Sequence, residues 1–141
     1  MNVAFDDVAV GDPMPELRKV VTREDIAAYA YASGDTNPLH LSDEAAAERG
    51  FDEGVIGHGM FTMAHLTTAL TDWLSDPSAL LHLKANFRFA VVPGDEMVAG
   101  GEVTALDPAT RTAKLDVWVG VDRDGVTEYA IKRSHARVQL A

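Results

Sequence analysis

The chain contains no cysteine. That excludes disulfides, thiol nucleophiles and thiolate metal sites, and it fits a reducing compartment. Basic residues are scarce: 12 Lys and Arg stand against 22 Asp and Glu, for a formal net charge of −10. Such a surface repels nucleic acid and anionic membranes, so neither is expected as a partner. A small anionic ligand stays compatible where a few basic residues cluster. No apolar run approaches the roughly 18 residues that mark a membrane span. The opening MNVAFDDVAVGD has neither a basic region nor a long apolar core, so no secretory leader is expected and a cytoplasmic location is. Repeats and low-complexity linkers are also missing. What is present, 141 residues of which 47% are hydrophobic, suits one folded domain over residues 1–141.

The first half reads as helices and loops. Phe5 to Val21 is broken by Gly11, Pro13 and Pro15, which predicts an extended arm ending in a short strand from Leu17 to Val21. Thr22 then starts a helix: Thr22 and Asp25 have capping-box-like spacing, Ile26, Tyr29 and Ala30 recur helically, and Gly34 stops it. A short helix follows over Ser42–Arg49, capped by Ser42 and closed by Gly50. FDEGVIGHG is a glycine-rich loop. From Gly59 to Leu74 the pattern is strongly helical, with Met63, Leu66, Leu70 and Trp73 on one stripe and Met60, Ala64, Thr67 and Thr71 on the next. Apolar over much of its circumference, this helix is expected to be deeply buried.

The second half changes period. LLHLKANFRFAVV, EMVAGGEVTAL, TAKLDVWVGV and VTEYAIKRSHARVQL read as four long strands, separated by the turn residues Pro93-Gly94-Asp95, Asp107-Pro108 and Asp124-Gly125. Consecutive antiparallel strands after one buried helix predict an α+β fold, a curved sheet wrapped around that helix.

The chemistry concentrates in ASGDTNPLH, Ala32 to His40. Pro38 lacks an N–H and pushes Asn37 toward extended geometry, so the helix must end before it. Asp35 and His40 therefore lie on either side of a bend. A turn built on Gly34, Asn37 and Pro38 can point both into one pocket, where an acid and an imidazole can take one proton and donate another. The same residues are also ordinary turn chemistry, with Asp35 and Asn37 bonding nearby amides. GHGM, Gly57–Met60, opens the buried helix. Its free N–H groups and partial positive charge suit an anion, and Gly59 lets a ligand oxygen approach the backbone, as an oxyanion site requires. Together these fit proton chemistry beside a thioester carbonyl.

At these residues the sequence resembles a known family. Tyr29, Ala30, Ser33-Gly34-Asp35, Asn37-Pro38, His40, Ala46 and His58-Gly59-Met60 match the YAxxSGDxNPxHxxxxxA-plus-HGM signature of MaoC-like hydratases and dehydratases. VGDPMPE, TREDIAAYA, HGMFTM, SDPSA and FRFAVVPGD further look like the B-type dehydratase subunit of actinobacterial type II fatty-acid elongation. The resemblance implies a hot-dog fold and reversible addition of water to a trans-2-enoyl thioester, giving a (3R)-3-hydroxyacyl thioester. It implies catalysis by Asp35 and His40, with the proton taken by each left open, and a Gly59 N–H that binds the thioester oxygen. The substrate would ride on CoA or the phosphopantetheine of an acyl carrier protein, with no other cofactor. It also implies pairing with an identical or related hot-dog chain.

Other residues carry weaker readings. Asn37 is expected to hold the turn. His58 and Met60 flank Gly59 and belong to the substrate-binding set by position, His58 rather as a loop stabiliser than as a second base. Thr67 matches a polar active-site position in some relatives; its hydroxyl either reaches Asp35 or satisfies its own helix carbonyl. Lys84 and Arg88, and less directly Lys132 and Arg133, are candidates for phosphate at the pocket mouth, against the plainer reading of solvated strand charges. Asp35, His40 and His58 can be drawn as a two-His-one-carboxylate metal set, but no short ligand-spacing motif supports it and no metal is expected. The competing functions are a non-catalytic acyl-binding or partner-stabilising subunit and a hot-dog thioesterase.

Overall fold

The computed structural model of the chain describes residues 2–141. Five strands form one antiparallel sheet: β1 (Pro13–Val20), β2 (Leu80–Lys84), β3 (Glu96–Asp107), β4 (Thr112–Arg123) and β5 (Val126–Gln139), in the order β1-β3-β4-β5-β2. Three helices, α1 (Arg23–Ser33), α2 (Asp43–Glu48) and α3 (Gly59–Leu74), lie between β1 and β2 in the chain. The sheet curves around α3, which touches all five strands. This is the hot-dog arrangement.

Local signals place the helices. Thr22 accepts the Asp25 N–H at the start of α1, and Gly34 ends it with φ 80°. Ser42 accepts the Ala45 N–H at the start of α2. The bounds of α3 agree with the sequence pattern, and Ser75 closes it in a left-handed conformation, φ 60°. Leu66 and Leu70 have no exposed surface and face Met97, Leu115, Val119 and Ile131 from the sheet. Each such leucine contributes roughly 1.5–3 kcal/mol by leaving water. The other side of α3 departs from the expected deep burial: Met60 is 55% exposed and Ala64 is exposed. One curved sheet can cover only one face of a helix.

Two strand expectations are corrected. β1 begins at Pro13, not at Leu17. It is an edge strand with a register shift between Met14 and Leu17, and an edge or a bulge is where a strand tolerates proline. LLHLKANFRFAVV is not one strand: continuous pairing stops at Lys84, and Phe87 makes an isolated further bridge, to Ile131. The cause lies on β5. Arg133 takes φ 52° and β5 slips against β4 between Ser134 and Ile131. Asn86 follows the slip with its N–H on Ser134 Oγ and its side-chain amide on the Arg133 carbonyl, while its own carbonyl still accepts the Lys132 N–H at 3.3 Å.

Among the described residues no helix is long and apolar enough to cross a membrane.

Candidate active site

After Gly34 the backbone runs through a series of short-range caps. Ser33 Oγ accepts the Asp35 N–H at 3.2 Å. Asp35 Oδ1 accepts the Asn37 N–H at 3.3 Å, and Asn37 Oδ1 accepts the Leu39 N–H at 3.1 Å. Pro38 starts a 3₁₀ turn, Pro38–His40, which needs no N–H there and sets φ. The turn swings His40 inward while Asp35 stays outside: their side chains are 10% and 57% exposed.

The loop before α3 receives His40. Ile56 N–H donates to the Leu39 carbonyl at 3.2 Å, and His40 Nδ1–H donates to the Ile56 carbonyl at 2.7 Å. A carbonyl accepts only, so the Nδ1 proton is fixed and the Nε2 lone pair is free. That nitrogen faces Asp35 Oδ2 across 4.0 Å. Gly57 locks the loop from below. Its N–H donates to the Val91 carbonyl at 2.7 Å, and a Cβ there would sit 2.8 Å from Val91 Cγ2.

Asp43 ties the same loop to both preceding helices. It takes the Val55 N–H at 3.0 Å and the Arg23 guanidinium at 2.7 Å. The Arg23 hydrogen bond, then the Val55 N–H, hold its carboxyl below the usual carboxylate value. Nothing at local spacing announces this clamp, because its three residues are drawn together only by the fold.

His58 lies under the pair. It is 3% exposed, its ring stacks on His40 with centroids 3.5 Å apart, and Tyr29 meets it edge-on at 4.9 Å. Its Nε2–H donates to the Asp35 carbonyl at 2.9 Å. Gly59 begins α3 exposed, with no side chain capping the helix, so its N–H is one of the unpaired donors of the first turn. The Phe87 ring lies beside it, 3.4 Å from where a Cβ would stand. Met60 next to it is open to solvent.

The structure thus gathers Asp35, His40, His58 and Gly59, with Asn37 holding the turn. It does not bring Thr67 to them: the Thr67 hydroxyl donates to the Met63 carbonyl of its own helix at 2.9 Å. Lys84 and Arg88 flank Phe87 in the chain; both are exposed, and among the described residues neither forms an ion pair. Lys132 lies over the Tyr129 ring at 4.1 Å, and Arg133 sits at the β5 bulge.

Asp35, His40 and His58 place one possible ligand atom each within 4.8 Å of one another. The imidazoles are poorly disposed for a shared ion. Their planes are 19° from parallel, and lone pairs lie in the ring planes, so they do not converge. A groove of about 580 Å³ lies on the far side of Tyr29, between α1, α3 and β1, lined by Leu17, Ala28, Phe61, Ala64 and Met97. Neither Asp35 nor His40 borders it; the chemistry, not this hollow, marks the site.

A buried imidazole with one free nitrogen, a carboxylate across from it and a helix N-terminus beside them lie on a sheet curled round that helix, the arrangement of a hot-dog protein. Residues 8–124 match the family model of the MaoC like domain, and the chain belongs to that family. It is 35% identical over 113 residues to the 3-hydroxybutyryl-CoA dehydratase of Methylorubrum extorquens, covering 79% of this chain and 70% of that one. The solved (R)-hydratase from A. caviae involved in PHA biosynthesis superposes with a TM-score of 0.83 at 30% identity, covering 95% of this chain and 98% of that one. A solved MaoC-like dehydratase superposes with a TM-score of 0.88 at 30% identity over 99% of this chain, which spans 43% of that longer chain.

Proposed function

We propose that the chain catalyses reversible addition of water to trans-2-enoyl thioesters, forming (3R)-3-hydroxyacyl thioesters. The observation that carries this reading is the 4.0 Å gap between Asp35 Oδ2 and the free Nε2 of His40. A water oxygen seated between them meets two acceptors. As its oxygen bonds to C3, one of its protons passes to the pair. The C2=C3 π electrons move toward the thioester carbonyl, and the Gly59 N–H stabilises the negative charge that builds on its oxygen. The pair then returns a proton to C2. One proton is taken and one given, so the site ends as it began. Dehydration is the reverse. No redox or electrophilic cofactor is required, because the thioester itself activates the double bond.

The family relationship and the relatives named dehydratase and (R)-hydratase support this reading. Asp35 and His40 are the catalytic residues in it, and Asn37 and His58 hold them. The acyl group is carried on CoA or on phosphopantetheine, and Lys84 and Arg88, next to Phe87, offer charge for its phosphates. A second hot-dog unit, identical or related, completes the molecule. Exposed Phe87 and Met60 beside Gly59 are apolar surface such a unit or the acyl chain would cover. The longer solved relative, of which this chain spans 43%, has length for two such units.

The test is a panel of trans-2-enoyl-CoA and enoyl-carrier thioesters with the purified chain, followed by loss of the conjugated absorbance and by a thiol reagent. Hydration bleaches the absorbance without freeing thiol. Thiol release identifies a thioesterase instead, and no change with any substrate in any oligomeric state indicates a binding subunit.

A further inference from the structure

His58 is placed more tightly than a loop residue needs to be. It is 3% exposed, yet among the described residues its Nδ1 has no hydrogen-bond partner, a burial cost that a phenyl ring would avoid. An imidazole is retained where two demands meet. Its flat face lies on His40 at 3.5 Å, and its Nε2–H reaches the Asp35 carbonyl at 2.9 Å. A phenyl ring meets only the first demand and an amide only the second. Asp35 needs the support: every residue from Tyr31 to Pro38 is exposed. Its other hydrogen bonds, to Ser33 and from Asn37, are local, whereas His58 reaches it from 23 residues away. Tyr29 packs edge-on against the His58 ring at 4.9 Å.

We propose that His58 is a positioning residue that couples the two halves of the acid/base pair, holding the Asp35 backbone by a hydrogen bond and the His40 ring by stacking. This rests on the reading of Asp35 and His40 as that pair. Because Nε2 donates to a carbonyl and Nδ1 meets no acceptor, the single ring proton belongs on Nε2. His58 takes no part in proton transfer; it sets the gap that the water occupies.

The experiment uses the full chain with His58→Ala, His58→Gln and His58→Phe, each alone and with His40→Ala. Misplacing a reacting group by about 1 Å costs about 10²-fold. His58→Ala is therefore expected to lower kcat by about that factor with KM nearly unchanged. Gln, which keeps the donor, and Phe, which keeps the ring and its volume, are each expected to recover part of the loss. In the His40→Ala background the same changes should cost little more, since a strap has nothing left to align. Unchanged kcat in His58→Ala, or an equal loss in both backgrounds, overturns the proposal. A readout free of turnover separates it from the proposed reaction: nitrogen NMR of the wild type should show His58 protonated on Nε2, and His58→Phe should shift the Asp35 amide signal. An Nδ1–H tautomer or an unmoved Asp35 signal overturns the strap even if hydration is confirmed. If no thioester is hydrated but both signals are as expected, the strap stands and the reaction assignment falls.

Discussion

His40 Nε2 and Asp35 Oδ2 face each other across 4.0 Å, too far for a hydrogen bond and wide enough for one small oxygen to touch both. The gap is maintained because His40 is anchored at its other nitrogen by the Ile56 carbonyl. Lengthening the acid by one methylene should close it. Asp35→Glu keeps the charge and changes an exposed side chain, so the fold should be unaffected. Its kcat should nonetheless fall by about 10²-fold, the cost of displacing a reacting group by about 1 Å. Steady-state kinetics beside circular dichroism check this; a wild-type kcat would show that the gap is not used.

Asn37 separates a structural from a chemical role. Its Oδ1 accepts the Leu39 N–H that opens the turn carrying His40. Asn37→Ala should cost about 1 kcal/mol, as the loss of a cap does. Asn37→Asp retains the acceptor and should restore both stability and turnover. Urea unfolding of the two variants, read with kcat, decides it: a stable but inactive Asn37→Asp variant would mean that the amide N–H₂ contacts the substrate.

Gly59 tests the oxyanion donor. A Cβ at this position would lie 3.4 Å from the Phe87 ring, an ordinary contact, and the backbone is not left-handed. Gly59→Ala should therefore fold. In the proposed reaction the Gly59 N–H binds the thioester oxygen and the added methyl would crowd that donor, so kcat/KM should drop about 10- to 100-fold, short of the full loss of a donor. Full activity in a folded Gly59→Ala variant would move the oxyanion site elsewhere.

His65 gives stability an acid limb. Burial pushes its imidazole below the ordinary value of 6.5; Lys19 adds to the shift, and its bond to the Leu17 carbonyl opposes it. Below that ordinary value the unfolded chain takes up a proton that the folded chain refuses. Stability should thus fall as pH drops through about 6.5 and level off once the folded-state value is passed. His65→Gln keeps an N–H for Leu17 but does not titrate. Urea midpoints measured from about pH 8 to about pH 5.5 should fall more steeply for the wild type than for His65→Gln. Parallel curves would show that His65 does not set the acid limb.

Much of the fold was legible because its signals are local. Thr22, Ser42, Gly34 and Gly50 mark helix ends through contacts a few residues long, and the apolar period of α3 runs from Gly59 to Leu74 as it does in the structure. What escaped depends on partners far along the chain. Pro13 and Pro15 look like strand breakers until β1 is known to be an edge. The break after Lys84 is imposed by the left-handed Arg133, which alternation of side chains does not reveal. At the site, the bend between Asp35 and His40 could be read from Gly34, Asn37 and Pro38. The stacking of His58 on His40 and the Arg23–Asp43–Val55 clamp could not, since no spacing rule connects them. The open side of α3 is illegible for a different reason: an apolar stripe reports what a helix can bury, not how much of it one sheet covers.

The most direct test compares hydration of a trans-2-enoyl thioester by the wild type, Asp35→Asn and His40→Ala at matched folded concentration, with chiral analysis of the product. A (3R)-3-hydroxyacyl thioester is expected from the wild type, with turnover lower by about 10²–10⁴-fold in each variant, the usual cost of lost acid/base help. Near-normal turnover in both folded variants, or a (3S) product, would contradict the proposed mechanism.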